Sequence, residues 1–281
     1  EMGDHIDKAI SVEEKAQGKV LLCCTTAKSD LKINVPGFNP NALPVRTLPV
    51  RIETIEIKHD VALLRLALPK APSFAFYAGQ YIDLLLPGNI SRSYSIANSP
   101  DQEGVLELHI RKRENGVCSE MIFGAEPKIK EKGIVRVKGP LGTFTLQKDS
   151  DKPIVLLATG TGYAPIRSIL LDLIRQNSER QVHFYWGARQ QADLYALEEV
   201  EALIGRLKNA KFSPVLSKPD FEWKGENGYV QDVAAQNYPD LGQYEVYACG
   251  SPEMTESAHG LLTQKCALPE DAFFCDAFSP A

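Results

Sequence analysis

No apolar run in the 281 residues approaches the roughly 18 needed to cross a bilayer. The acidic opening EMGDHIDKAI also lacks the apolar stretch of a signal peptide. A membrane partner is therefore not expected, and a cytoplasmic location is. Cysteine is sparse. The six residues Cys23, Cys24, Cys118, Cys249, Cys266 and Cys275 show no C-x-x-C spacing, so a zinc site is not expected and a reducing compartment would leave them as thiols or ligands. No excess of positive charge exists either. The 31 basic residues against 36 acidic ones leave a net charge of −5, which excludes a global field drawing the chain to nucleic acid. The remainder, 44% hydrophobic and 24% charged, is that of a soluble globular chain long enough for two domains.

The Pro-rich stretch NVPGFNPNALPVRTLP, residues 34–49, breaks any periodicity and reads as a linker. Short β-rich runs follow, at 50–57, 61–68, 81–86, 92–96, 105–110 and 134–138, separated by Pro, Gly and Asn. That spacing predicts an antiparallel β-barrel or sandwich. Near residue 150 the pattern changes to strands alternating with helices. IVLLA (154–158) has the continuous apolar character of a strand buried on both faces. In APIRSILLDLIRQ, Ile166, Ile169, Leu170, Leu173 and Ile174 recur at helical spacing, with Pro165 in the first turn. Strands at 182–186, 211–216 and 245–249 and helices at 197–207, after Gly228 and at 252–264 complete a doubly wound α/β domain. Ligands of such a domain bind at the carboxyl ends of its strands. Phe273 and Phe274 read as a further core strand.

Two constellations carry chemistry. In ATGTGYAPI, Gly160 and Gly162 stand between a buried strand and a helix N-terminus, where the backbone can approach a pyrophosphate. A tight turn between two elements explains the same glycines, because Pro165 replaces the third glycine of the dinucleotide fingerprint. No carboxylate closes the second strand at HFYWGAR, so the ribose must be held in another way. In the β-rich half, Arg92-Ser93-Tyr94-Ser95 combines a bidentate guanidinium, a flat aromatic face and hydroxyls, the groups a flavin cradle uses. An ordinary alternating strand accounts for them as well. Their order with Gly116-Val117-Cys118-Ser119, GTGYAP and Cys249-Gly250-Ser251-Pro252 is what adds information.

In that order the motifs resemble the ferredoxin-NADP reductase superfamily over about residues 47–281. The resemblance implies a flavin-binding antiparallel barrel (47–148) followed by a doubly wound nicotinamide-nucleotide domain (149–281). It implies that Arg92 contacts the flavin pyrophosphate with Ser93 beside it, that Tyr94 stacks on the isoalloxazine and that Ser95 lies near its reactive edge. His109, Ile110 and Arg111 would line the ribityl and phosphate, and Gly116 to Ser119 would close over the pyrophosphate of FAD. Lys112 and Arg113 are open between a solvated turn and a docking patch. Gly160, Thr161 and Gly162 would meet the dinucleotide phosphates. Cys249, with Gly250, Ser251 and Pro252, would guide the nicotinamide without acting as a nucleophile, though a small buried hydrophobe fits Cys249 too. Phe278 matches the terminal aromatic that covers the isoalloxazine. Asp276 is either a polar neighbour of the flavin or a turn residue. Arg189 is the only cation near the adenosine ribose, which favours NADH while leaving NADPH open.

The first 33 residues resemble the end of a plant-type 2Fe-2S ferredoxin domain, with 34–46 as its linker. Cys23, ahead of Ser29-Asp30, matches the fourth cluster ligand. The C-x₄-C-x₂-C ligands do not precede it in this sequence, so a cluster is expected only in a longer protein. An extension that carries vicinal cysteines is the plain alternative. The same module order occurs in CDP-6-deoxy-3,4-glucoseen reductases and oxygenase reductases. The implied activity is hydride transfer from NADH to FAD, with electrons passed on to an iron-sulfur centre or to an oxygenase, dehydratase or ferredoxin-like protein. A flavin reductase that uses flavin as substrate, and a flavin-binding electron-transfer or sensor subunit without turnover, are the alternatives.

Overall fold

The computed structural model describes residues 2–5, 25–30 and 43–278. The chain divides into units 1–42 and 43–281. In the first, β1 (Met2–His5) pairs antiparallel with β2 (Thr25–Ala27). The expected ligand Cys23, the helix-like SVEEKAQG and most of the expected linker lie outside the described residues.

The second unit begins with six antiparallel strands in the order β6-β5-β8-β3-β4-β7. They are β3 (Arg46–Lys58), β4 (Val61–Ala67), β5 (Tyr81–Leu86), β6 (Ile90–Ser95), β7 (Val105–Arg111) and β8 (Ile134–Leu141). The two edges meet at a bridge between Ile96 and Leu108. Period-2 alternation turns Leu64, Leu66, Ile82, Leu84, Leu106 and Leu108 inward to a shared core. Strand β3 serves two neighbours: Arg46–Arg51 pair with β8, Arg51–Lys58 pair with β4, and the register shifts between Ile52 and Thr54. It starts four residues before the sequence-based expectation and contains Pro49. Opposite β8, this half of β3 has no partner in the β4 ladder, and an edge of that kind tolerates proline. The short helix α1 (Val117–Phe123) follows β7 and buries Cys118, Ser119 and Ile122.

From Ile154 the sheet is parallel, in the order β12-β11-β10-β9-β13-β14. Its strands are β9 (Ile154–Thr159), β10 (Val182–Ala188), β11 (Ala210–Leu216), β12 (Glu226–Asn227), β13 (Glu245–Gly250) and β14 (Phe273–Ala277). Helices α2 (Tyr163–Arg175), α3 (Leu197–Ile204), α4 (Val230–Asn237) and α5 (Pro252–Lys265) connect them. The chain winds outward from β9 through β12, then returns to place β13 on the other side of β9. The switch point is therefore at the carboxyl ends of β9 and β13, where a ligand crevice opens in such sheets. The turns that follow these two strands are GTG and CGSP. Helix α5 starts where the sequence predicts, with Pro252 at its first position and the Ser251 hydroxyl accepting from the Met254 N–H at 3.3 Å. Among the described residues no helix is long and apolar enough to cross a membrane.

Candidate functional site

One cavity of about 770 Å³ takes its walls from both halves of the second unit. The barrel supplies Arg92, Ser93, Tyr94, Ser95, His109 and Arg111, and α1 with its preceding turn supplies Gly116 to Ser119. Thr161 enters from the GTG turn, and Phe278 from the end of β14. Residues of three of the four motifs are thus adjacent, together with Phe278, while Cys249, Gly250, Ser251 and Pro252 do not line this cavity. Tyr81, Arg113, Glu114, Asn115 and Asp276 line it as well. Tyr81 lies opposite Ser95 in the β5–β6 ladder, a neighbour that strand pairing reveals and a linear motif does not.

The site can be tested against FAD group by group. The volume suits a large cofactor. Arg92 bonds only the Ser91 carbonyl, at 2.8 Å, and forms no ion pair among the described residues, so its charge is available to a diphosphate. Tyr94 is half-buried, and burial, with Cys118 beside it, pushes its pKa up and keeps it neutral. Its side chain lines the cavity and offers a flat aromatic face. Gly116 stands where a Cβ would meet Arg113 and the Ser119 hydroxyl at 3.1 Å, and Ser119 accepts from the Arg113 N–H at 2.8 Å. A turn this tight leaves backbone exposed beside the cavity, as close approach to a pyrophosphate requires. The residues fit FAD.

Several expected residues are placed differently. Ile110 is buried in the barrel core, because on β7 the side chains of 109 and 111 face the opposite way to that of 110. Arg111 reaches the cavity already paired, 2.8 Å from Asp60 and 3.7 Å from Asp193. Ser93 donates to Asp83 at 2.7 Å. His109 is fully enclosed, with Nδ1 at 2.9 Å from the Tyr195 hydroxyl and Nε2 at 3.1 Å from Glu107. Burial lowers its pKa, so the ring is neutral.

Gly162 and Gly250 have a reason the motif reading did not supply. A Cβ on Gly162 would lie 2.1 Å from the Cys249 carbonyl oxygen, and one on Gly250 2.1 Å from the Thr159 hydroxyl. Gly250 has φ +149°, and the Ser251 N–H donates to that same hydroxyl at 3.3 Å. The two turns at the switch point interlock backbone to backbone. Cys249 itself has no exposed surface, and burial, with Asp276 and Cys275 nearby, pushes its thiol well up. It offers no thiolate, and its side chain lies outside the cavity. Asp276 is its partner across β13 and β14, and burial raises that carboxyl to about 6.

Arg189 lies outside the cavity, at the end of β10. Its carbonyl accepts from the Lys218 N–H at 3.0 Å, and the Leu216 carbonyl accepts from the Gly228 N–H at 2.9 Å. Neither cation is ion-paired among the described residues. Tyr229, next to Gly228, is 62% exposed. Lys218 is far from any motif, and only the β10–β11 register reveals it. Among the described residues no group of three His, Cys, Asp or Glu could hold a metal.

Comparison with known proteins agrees with this geometry. Residues 50–146 match the model for an oxidoreductase FAD-binding domain, and residues 156–260 match that for an oxidoreductase NAD-binding domain. The chain is 40% identical over 275 residues to a CDP-6-deoxy-L-threo-D-glycero-4-hexulose-3-dehydrase reductase of Yersinia pestis, covering 97% of this chain and 81% of the relative. It is 33% identical to an NAD(P)H-flavin reductase of Vibrio harveyi, covering 75% and 90% of the two chains. The crystal structure of the Amycolatopsis cytochrome P450 reductase GcoB superposes with a TM-score of 0.82 at 29% identity, over 100% of this chain and 85% of that one. The chain belongs to the ferredoxin-NADP reductase family and is an FAD- and NAD-binding oxidoreductase.

Proposed function

We propose that the chain is the reductase of an electron-transfer system, taking hydride from a reduced nicotinamide dinucleotide and delivering electrons to a one-electron acceptor. One observation carries the reading: a single cavity receives Arg92, Tyr94 and Ser95 from the barrel together with Thr161 and Phe278 from the α/β domain. Bound FAD would accept a hydride and release electrons singly. The protein's part is to bind and align. Arg92 and the turn at Gly116 would hold the diphosphate, Tyr94 would support the ring system, and Phe278 would shield it until nicotinamide takes its place. Cys249 is fully buried beside Asp276, so its contact with nicotinamide would require its surroundings to open.

The adenosine end settles against Arg189, Lys218 and Tyr229. With two unpaired cations there, a 2′-phosphate is accommodated, so NADPH serves alongside the NADH that the sequence favours. The acceptor is an iron-sulfur centre or an oxygenase or dehydratase component, consistent with the names of the Yersinia and Amycolatopsis relatives. If a longer protein holds the remaining ligands, Cys23 completes a 2Fe-2S site.

A second reading, release of reduced flavin as product, is favoured by the Vibrio relative. Anaerobic titration of desalted protein with NADH and then NADPH separates the readings. Retained yellow flavin that bleaches stoichiometrically supports the reductase. Colourless protein that oxidises NADH only with added flavin supports the alternative. Flavin that neither coenzyme bleaches overturns both.

A further inference from the structure

Two consecutive residues of α2, one turn beyond GTG, leave the α/β domain and bond the barrel. The Arg167 guanidinium donates to the Ala97 carbonyl at 2.8 Å, and the Ser168 hydroxyl to the Asn98 carbonyl at 2.7 Å. Both side chains are buried or nearly so. Arg167 also lies 3.5 Å from Glu107 on β7, and it pairs with Glu199 on α3 at 2.8 Å. Glu107 in turn holds His109, and His109 meets Tyr195. Tyr163, the first residue of α2, donates to Glu199 at 3.2 Å.

These contacts grip three segments that also carry the site. The carbonyls of Ala97 and Asn98 lie just beyond Ser95. Glu107 lies on the same strand as His109 and Arg111. Helix α2 begins directly after the GTG turn that carries Thr161. A partly buried ionic cluster of this kind costs desolvation and is a poor device for stability alone, since well-packed apolar residues would do as well. What it supplies is a fixed geometry. Hydride transfer depends on donor and acceptor carbons being aligned, and a displacement of about 1 Å costs on the order of 100-fold in rate.

We propose that Arg167 is a positioning residue, seconded by Ser168 and Glu107, which sets the spacing between the dinucleotide turn and the flavin cavity. The inference rests on the reductase reading and adds to it a group that touches neither coenzyme nor flavin.

The test compares the wild type with Arg167→Met, Arg167→Lys and Ser168→Ala. Four quantities are measured: FAD content after desalting, dissociation constant for NAD⁺, single-turnover flavin reduction by NADH, and amide hydrogen exchange. For Arg167→Met, FAD content and NAD⁺ binding stay within about threefold while reduction slows about 100-fold. Arg167→Lys recovers about tenfold of that loss, because an ammonium keeps the charge but cannot fork to Ala97 and Glu199 together. Exchange rises at residues 95–99 and 163–168 but not in β3 and β8. Reduction at the wild-type rate overturns the proposal, and so does a slowdown matched by equal loss of FAD or NAD⁺ binding. If Arg167→Met does not fold, Arg167→Lys and Ser168→Ala decide by the same split. Failure of the wild type to bleach with either coenzyme would sink the reductase reading instead, while the exchange data still report on the contact.

Discussion

The Phe278 backbone N–H donates to the Gly250 carbonyl at 2.7 Å, so the aromatic at the end of β14 is tied to the turn after β13. Its ring lines the cavity and packs on the α/β core. The ring and the turn after β13 are thus one assembly, and on the proposed function nicotinamide binding would displace the ring. Phe278→Ala removes that competition. NAD⁺ should then bind about tenfold more tightly, the equivalent of roughly 1.4 kcal/mol, with FAD content unchanged. Titration calorimetry on the desalted protein checks this, and unaltered affinity would place the nicotinamide elsewhere.

The interlock of the switch-point turns makes Gly162→Ala a stability variant before it is a binding variant. Its methyl group would meet the Cys249 carbonyl oxygen at 2.1 Å, and that oxygen belongs to rigid backbone. Overpacking of this sort costs about 1–3 kcal/mol. Urea unfolding should show a lower midpoint with an unchanged slope. An undiminished midpoint would mean that the two turns can separate freely.

His183 predicts an acid limb in stability. Its ring is bonded by Tyr238 at 2.9 Å and by Ser213 at 3.0 Å, and burial, helped by Lys211, lowers its pKa from 6.5 to about 4. The unfolded chain therefore binds the proton more readily between those values. The stability this group contributes is full above pH 6.5 and is lost as pH drops towards 4. His183→Gln should flatten this segment of the pH profile. Chemical denaturation at pH 7, 5.5 and 4.5 measures it, and parallel profiles for the two proteins would exclude His183 as the cause.

Arg189 and Lys218 should decide between the two coenzymes. A phosphate held by one charge-assisted hydrogen bond gains about 1.5–3 kcal/mol. Either alanine substitution should then lower kcat/KM for NADPH by about 10- to 100-fold and alter that for NADH by less than about twofold. Equal losses with both coenzymes would show a structural effect in place of 2′-phosphate recognition.

Strands and helices were legible because burial imposes its period on the residues themselves. Tyr81–Leu86 carries an alternation and α2 a helical stripe, each visible without any partner, and the residues of RSYS and GxxS announce their chemistry by type and order. The direction of Ile110 follows from the strand period only after the inward face is known. The Lys218 N–H meets the Arg189 carbonyl just beyond the parallel ladder of β10 and β11, and Arg167 meets Glu107 and Ala97 across 60 or more residues of sequence. The sequence by itself determined the two kinds of sheet, the order of the motifs and the chemical groups they offer, since these depend on local periodicity and residue type. Only the tertiary structure decided which groups face one cavity, which glycines serve backbone packing and which cations stand unpaired. Those outcomes depend on long-range register and on burial, neither of which any local stretch of sequence encodes.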